Sequence, residues 1–150
     1  MVRFVAALSV LLLGLLASAA AVADPAKLEA NKKVVVEFYD LALNKMDFEA
    51  ASKHFGPRYI QHNPNAPDGI EGFRQFIAMR KERTPNARSE IKRVIAEGDL
   101  VVLHVHGVRE PGQRGVAIID IFRLENGKIV EHWDVVQPIP EKPANDNGMF

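Results

Sequence analysis

GVAIIDIFRLENGKIVEHWDVVQ, residues 115–137, reads as two strands joined at Glu125-Asn126-Gly127. β-Branched and aromatic residues fill both arms, and Asn-Gly between such arms is the strongest short-range hairpin signal. The same stretch carries Asp120, His132 and Asp134, ionisable groups set into otherwise apolar strands.

Loop length decides where those groups point. A two-residue loop, Asn126-Gly127, pairs Glu125 with Lys128 and therefore Asp120 with Trp133. A three-residue loop, with Gly127 in a left-handed bulge position, pairs Leu124 with Lys128 and Asp120 with His132. Side chains alternate along a strand, so the choice selects a face. In the second register Asp120, Phe122, His132 and Asp134 share one face, and Ile119, Ile121, Ile129 and Trp133 the other. That register sorts polar from apolar better and is the one expected.

Outward from the hairpin, the chain alternates with period two as far back as Arg88. Ser89–Ala96 and Leu100–Val108 are strands around a turn at Glu97-Gly98-Asp99, and 109–114 is a Pro/Gly loop. Before them the apolar spacing is helical. Ala26–Leu43 is one amphipathic helix, Asp47 is an N-cap for a short helix over Phe48–Phe55, and Ile70–Arg83 is a third. Tyr59-Ile60-Gln61-His62-Asn63-Pro64 is a short strand entering a loop. Helices gathered early and strands late give an α+β domain, with the helices covering one face of a curved, mainly antiparallel sheet.

The ends read differently. Arg3, the apolar run Phe4–Leu16 and Ala21-Val22-Ala23 make residues 1–23 a signal peptide, with cleavage expected before Asp24. The mature chain is then secreted or periplasmic and has no membrane segment. Residues 24–137 form the domain. Residues 138–150 carry three prolines and little to bury, and are expected to be a flexible tail.

The chain has 150 residues, enough for one core, and 19 basic residues balance 19 acidic ones. A nucleic-acid binder would normally present a basic surplus, so no nucleic-acid partner is expected. There is no cysteine, which excludes disulfides and thiolate chemistry.

Four of the five histidines sit in or beside strands. His104 and His106 alternate with Leu103 and Val105 and so share a face; His62 ends the first strand and His132 lies on the last. Asp120, flanked by isoleucines and Phe122, is costly to bury unpaired. Burial would raise its pKa and poise it for proton transfer, while a histidine partner would pull the pKa back down. Its structural alternative is an ion pair with Arg123 or Arg114. Asp134 is either a second acid in the cavity or an edge residue. Tyr59, Gln61 and Asn63 orient a ligand or cap the loop. His104 and His106 with His62, His132 and Asp120 also have the ligand types for zinc or iron, which keeps a metal-dependent reading in play.

The order of elements, the segment at 59–64 and the run DIFRLENGKIVEHWDVVQ at 120–137 resemble the SnoaL-like polyketide-cyclase group of the nuclear transport factor 2-like superfamily. The likeness spans roughly Leu28 to Gln137. It implies a cone-shaped sheet wrapped around a deep pocket, and a homodimer. It also implies chemistry without a cofactor or metal: an aspartate on the penultimate strand acts as general acid/base in an intramolecular aldol condensation. Asp120 falls at that position. A histidine on the preceding strand assists it, and His106 is the nearest match, with His104 beside it. The related limonene-epoxide hydrolases carry an Arg-x-Asp pair on one strand and a second aspartate on the next; Asp120 and Asp134 match the two acids, but Ile118 stands in the place of the arginine.

The functional expectation is therefore an exported protein whose pocket takes a small apolar carbonyl compound for cofactor-free acid/base chemistry. Asp120, His106 and His104 would be catalytic, with His62, His132, Asp134, Asn63 and Phe122 binding substrate. A non-catalytic small-ligand-binding module is the alternative from a different class.

Overall fold

The computed structural model describes residues 24–150; the signal peptide expected at 1–23 lies outside the described residues. Helix α1 (Pro25–Tyr39) starts at Asp24, whose side chain accepts from the Ala26 amide at 2.9 Å. It runs on as a wide turn over Asp40–Asn44, and the short α2 (Phe48–Ser52) is capped by Asp47. Strand β1 (Phe55–Gln61) and helix α3 (Gly69–Arg83) follow. Then come β2 (Arg88–Glu97), β3 (Leu100–Val108), β4 (Val116–Glu125) and β5 (Lys128–Pro138).

The sheet order is β1-β5-β4-β3-β2, with β1 parallel to β5 and every other pair antiparallel. The curved sheet is closed on its concave side by the helices. Between them lies an aromatic core, in which Phe38 of α1 packs against Phe55, Phe73 and Phe122 at ring separations of 5.2, 5.4 and 5.8 Å. Val101, Leu103, Val105 and Leu124 complete it from the sheet. Each such side chain contributes about 1.5–3 kcal/mol by leaving water.

The hairpin differs from expectation in an instructive way. Its loop has two residues: Glu125 pairs with Lys128, and Asn126 and Gly127 both take positive φ, at 51° and 72°. Such a turn matches the twist of the strands it joins. The pairing then skips a residue, because Leu124 faces Ile129 while Arg123 faces Glu131. Val130 is the extra residue, a bulge that changes the facing of everything beyond it. Asp120 thus lies opposite Asp134, and Phe122 opposite His132. Asp120, Phe122, His132 and Asp134 do share the concave face, by a bulge rather than by a longer loop. Ile129, ahead of the bulge, is a fully buried core residue and not part of the outer face.

Gly56 explains why the bulge fits here. A Cβ on it would lie 2.7 Å from Val130 Cγ1, so only glycine admits the bulged valine beside β1. The second helix, expected to reach Phe55, ends at Ser52, and Phe55 opens β1 instead.

The C-terminal segment beyond β5 has no regular structure. Phe150 returns to the convex face and packs on His104 and His106, at ring separations of 5.2 and 4.9 Å.

Candidate active site

A cavity of about 730 Å³ lies between the concave face and the helices. Asp120 lies in its wall on β4, 5% exposed. His132 and Asp134 reach it from β5, Tyr39 from α1, Tyr59 and Gln61 from β1, and Asn63 from the loop that follows. Phe122, 2% exposed, stacks against the His132 ring at 4.7 Å and supplies an apolar wall.

Both oxygens of Asp120 are engaged. Tyr39 Oη donates to Oδ2 at 2.9 Å, and His132 Nε2 lies 3.0 Å from Oδ1. The other ring nitrogen, Nδ1, lies 2.9 Å from Gln61 Oε1. The backbone amide of Asn63 also donates to that Oε1, at 2.8 Å, and Gln61 Nε2 donates to Tyr59 Oη at 3.2 Å. A backbone N–H can only donate, so it fixes which end of the Gln61 amide is the oxygen. An amide oxygen can only accept, so Nδ1 of His132 carries a proton. Nε2 is therefore the ring nitrogen aimed at the Asp120 carboxyl group. This is the arrangement of an acid/base pair oriented by a third group.

Asp134, half-buried, lies across the strands from Asp120 and accepts from Asn63 Nδ2 at 2.7 Å. Like charges directly opposite on neighbouring strands are destabilising, a cost more readily explained by a site than by a fold. Burial pushes the Tyr39 hydroxyl well above its usual pKa, and the Asp120 charge adds to this. Burial does the same for Tyr59, reinforced by Asp120 and Asp134. Both phenols thus stay protonated donors. The Tyr59 hydroxyl proton has no acceptor among the described residues and is available to a ligand.

Three of the expected residues lie elsewhere. His104 and His106 are on the convex face, opposite Ile119 and Ala117. Alternation required them to share a face; the aliphatics between them took the core, with Leu103 and Val105 fully buried. His104 Nδ1 meets Arg93 at 2.9 Å, and His106 Nε2 donates to the Arg114 carbonyl at 2.7 Å. His62 is exposed on that face too, bonded to Glu131 at 2.8 Å and stacked on Trp133 at 4.7 Å. The expected metal set built on these histidines therefore cannot assemble. Among the described residues, the group able to share a cation is Asp120, His132 and Asp134, whose ligand atoms lie within 4.8 Å of one another.

Tyr39 is the residue the sequence reading passed over. Its signal was present: a tyrosine in register with Val35 and Ala42 on a buried helix face needs a partner for its hydroxyl.

Residues 35–132 match the SnoaL-like domain family. The chain belongs to that family. Among solved structures, TsrD from Streptomyces laurentii is 26% identical, with a TM-score of 0.61 over 71% of this chain and 88% of its own. A putative SnoaL-like polyketide cyclase from Jannaschia sp. CCS1 is 24% identical, with a TM-score of 0.57 over 72% of this chain and 90% of its own. A nuclear transport factor 2-like protein of unknown function from Cytophaga hutchinsonii is 22% identical, with a TM-score of 0.57 over 72% and 90%. Likeness at the level of the last two establishes the fold, a SnoaL-like cone. No curated protein matches the sequence.

Proposed function

We propose that this SnoaL-like protein is an exported, cofactor-independent acid/base enzyme acting on a small, largely apolar carbonyl compound. Asp120 is the proton acceptor and donor. The observation that carries this reading is the chain Gln61–His132–Asp120, in which a fixed amide orients an imidazole toward a buried carboxylate. The Asp120 carboxylate takes a proton from the carbon next to the carbonyl. The electron pair moves onto the carbonyl oxygen, and the Tyr59 hydroxyl donates to the enolate so formed. The enolate carbon then bonds to a second carbonyl carbon, and Asp120 returns the proton to the new alkoxide. Tyr39 and His132 hold the carboxylate within reach throughout.

Export rests on the sequence of residues 1–23, and among the described residues no helix is long and apolar enough to cross a membrane. A homodimer through the convex face is part of the proposal, supported by Ile95, Ile119 and Val135, which stand 60%, 37% and 70% exposed there.

The test is deuterium exchange from D2O into the α-position of aryl ketones such as 2-tetralone, followed by NMR. The wild-type chain should accelerate exchange and Asp120→Asn should not, while keeping the fold. One observation favours a purely binding pocket: both Asp120 oxygens are already hydrogen-bonded, as a structural carboxylate would be. That reading gains the day if no ketone of the series exchanges faster than in buffer.

A further inference from the structure

The cavity has a second polar end, and its charge is positive. Arg80 lines it from the last turn of α3, and Arg109 lines it just beyond the end of β3. The Arg80 side chain is half-buried and anchored at one point, with Nε donating to the Leu43 carbonyl at 3.2 Å. Its two terminal nitrogens have no hydrogen-bond or ion-pair partner among the described residues. Nor does the Arg109 guanidinium, although most other arginines near carboxylates in this chain, such as Arg58, Arg74 and Arg123, are paired.

The charged neighbours acting on Arg80 are Arg109 and Arg88, both cations, beside the neutral Tyr39, and no carboxylate is among them. Burial holds its pKa below the usual value, the sign of a cation kept from water without compensation. A guanidinium does not escape that cost by losing its proton. What it lacks is an anion, and its planar fork suits a carboxylate best.

Along the sheet, the Arg109 end of the cavity is set apart from Asp120. Asp120 lies opposite Leu103, whereas Gly107, four residues on and two before Arg109, lies opposite Val116. Four residues of strand span about 13 Å. Much of the remaining lining is apolar, with Phe38, Phe73, Phe76, Val116 and Ile118. The cavity thus joins acidic groups on the sheet to an apolar lining and two arginines, Arg80 from the helical layer and exposed Arg109 beyond the end of β3.

We propose that Arg80, with Arg109 at the rim, is an anion-binding subsite, and that the natural ligand is an elongated apolar compound with a carboxylate or similar anion at its outer end. The substrate class so named rests on the reading of this cavity as the site of chemistry. The anion would fix which end of the molecule enters first and bring its carbonyl, rather than its charged group, to Asp120.

The experiment compares biphenyl-4-carboxylate with its neutral isostere biphenyl-4-carboxamide by calorimetry at low salt. If the arginines act as proposed, the carboxylate binds about tenfold more tightly, the worth of one good charge-assisted hydrogen bond. The preference should disappear in Arg80→Gln, shrink severalfold in Arg109→Gln and survive in Asp120→Asn. If the proposal is wrong, Asp120 and Asp134 repel the anion and the carboxamide binds as well or better; that result overturns it. So does a preference unchanged in Arg80→Gln. Should that variant not fold, exposed Arg109 decides: an undiminished preference in Arg109→Gln is equally fatal. Binding and proton exchange are separate readouts. Preference without exchange leaves the subsite standing and removes the catalytic reading; exchange without preference does the reverse.

Discussion

Removing the hydroxyl of Tyr39 isolates the contact that ties the helical layer to the site. Tyr39 Oη donates to Asp120 Oδ2 at 2.9 Å, with both residues 5% exposed or less. A hydrogen bond to a charged group contributes about 1.5–3 kcal/mol, and a buried acceptor left without its donor loses most of that. Tyr39→Phe keeps the ring, which packs edge-on to Phe122 at 6.4 Å, so little packing is lost. The expected cost is about 2 kcal/mol. In an Asp120→Ala background the charged acceptor is gone and only the Ser89 hydroxyl remains beside Tyr39, so the same substitution should cost less than about 0.5 kcal/mol. Urea unfolding of the four proteins gives the coupling directly, near 2 kcal/mol. Equal costs in both backgrounds would refute the claim that Tyr39 serves Asp120, and would leave its hydroxyl bonded elsewhere.

Gly56→Ala should destabilise the chain by about 1–3 kcal/mol through overpacking against Val130, and Val130→Ala should recover most of that; a neutral Gly56→Ala in thermal unfolding refutes the packing account of the bulge. Burial lowers the His54 pKa below 6.5, so the unfolded chain takes up this proton first as the pH falls. The stability His54 contributes is therefore complete above about pH 6.5 and is lost as the pH drops through its lower folded value. Urea midpoints at pH 7 and pH 5 should differ less in His54→Gln than in wild type, and an equal or larger difference overturns the assignment. Light scattering of the mature chain should give a dimer that Val135→Glu dissociates; a wild-type monomer ends the proposal of a convex-face interface.

Much of the architecture was written locally. Asn126-Gly127 marked the turn, period-two alternation marked β2 to β5, and Asp47 marked the start of α2, because each acts on its immediate neighbours. The parity of Asp120, His132 and Asp134 also emerged, since a greasy face and a polar face cannot be exchanged without exposing isoleucine to water or burying charge. The route to it did not, because the loop is a residue shorter than expected and Val130 makes good the difference.

His104 and His106 mark the limit from the other side. Alternation places both on one face but carries no statement of which face is concave. That depends on where the helices pack, and they pack over Leu103 and Val105.

The sequence by itself determined the element order, the hairpin and the α+β class, because hydrophobic period and turn chemistry act over a few residues. Tertiary structure alone decided the site. The Val130 bulge needs Gly56, far away in the chain, and the proton on His132 is set by Gln61, Asn63 and Asp120 from different segments. The choice of which histidine meets the acid is a property of packing, and no local pattern contains it.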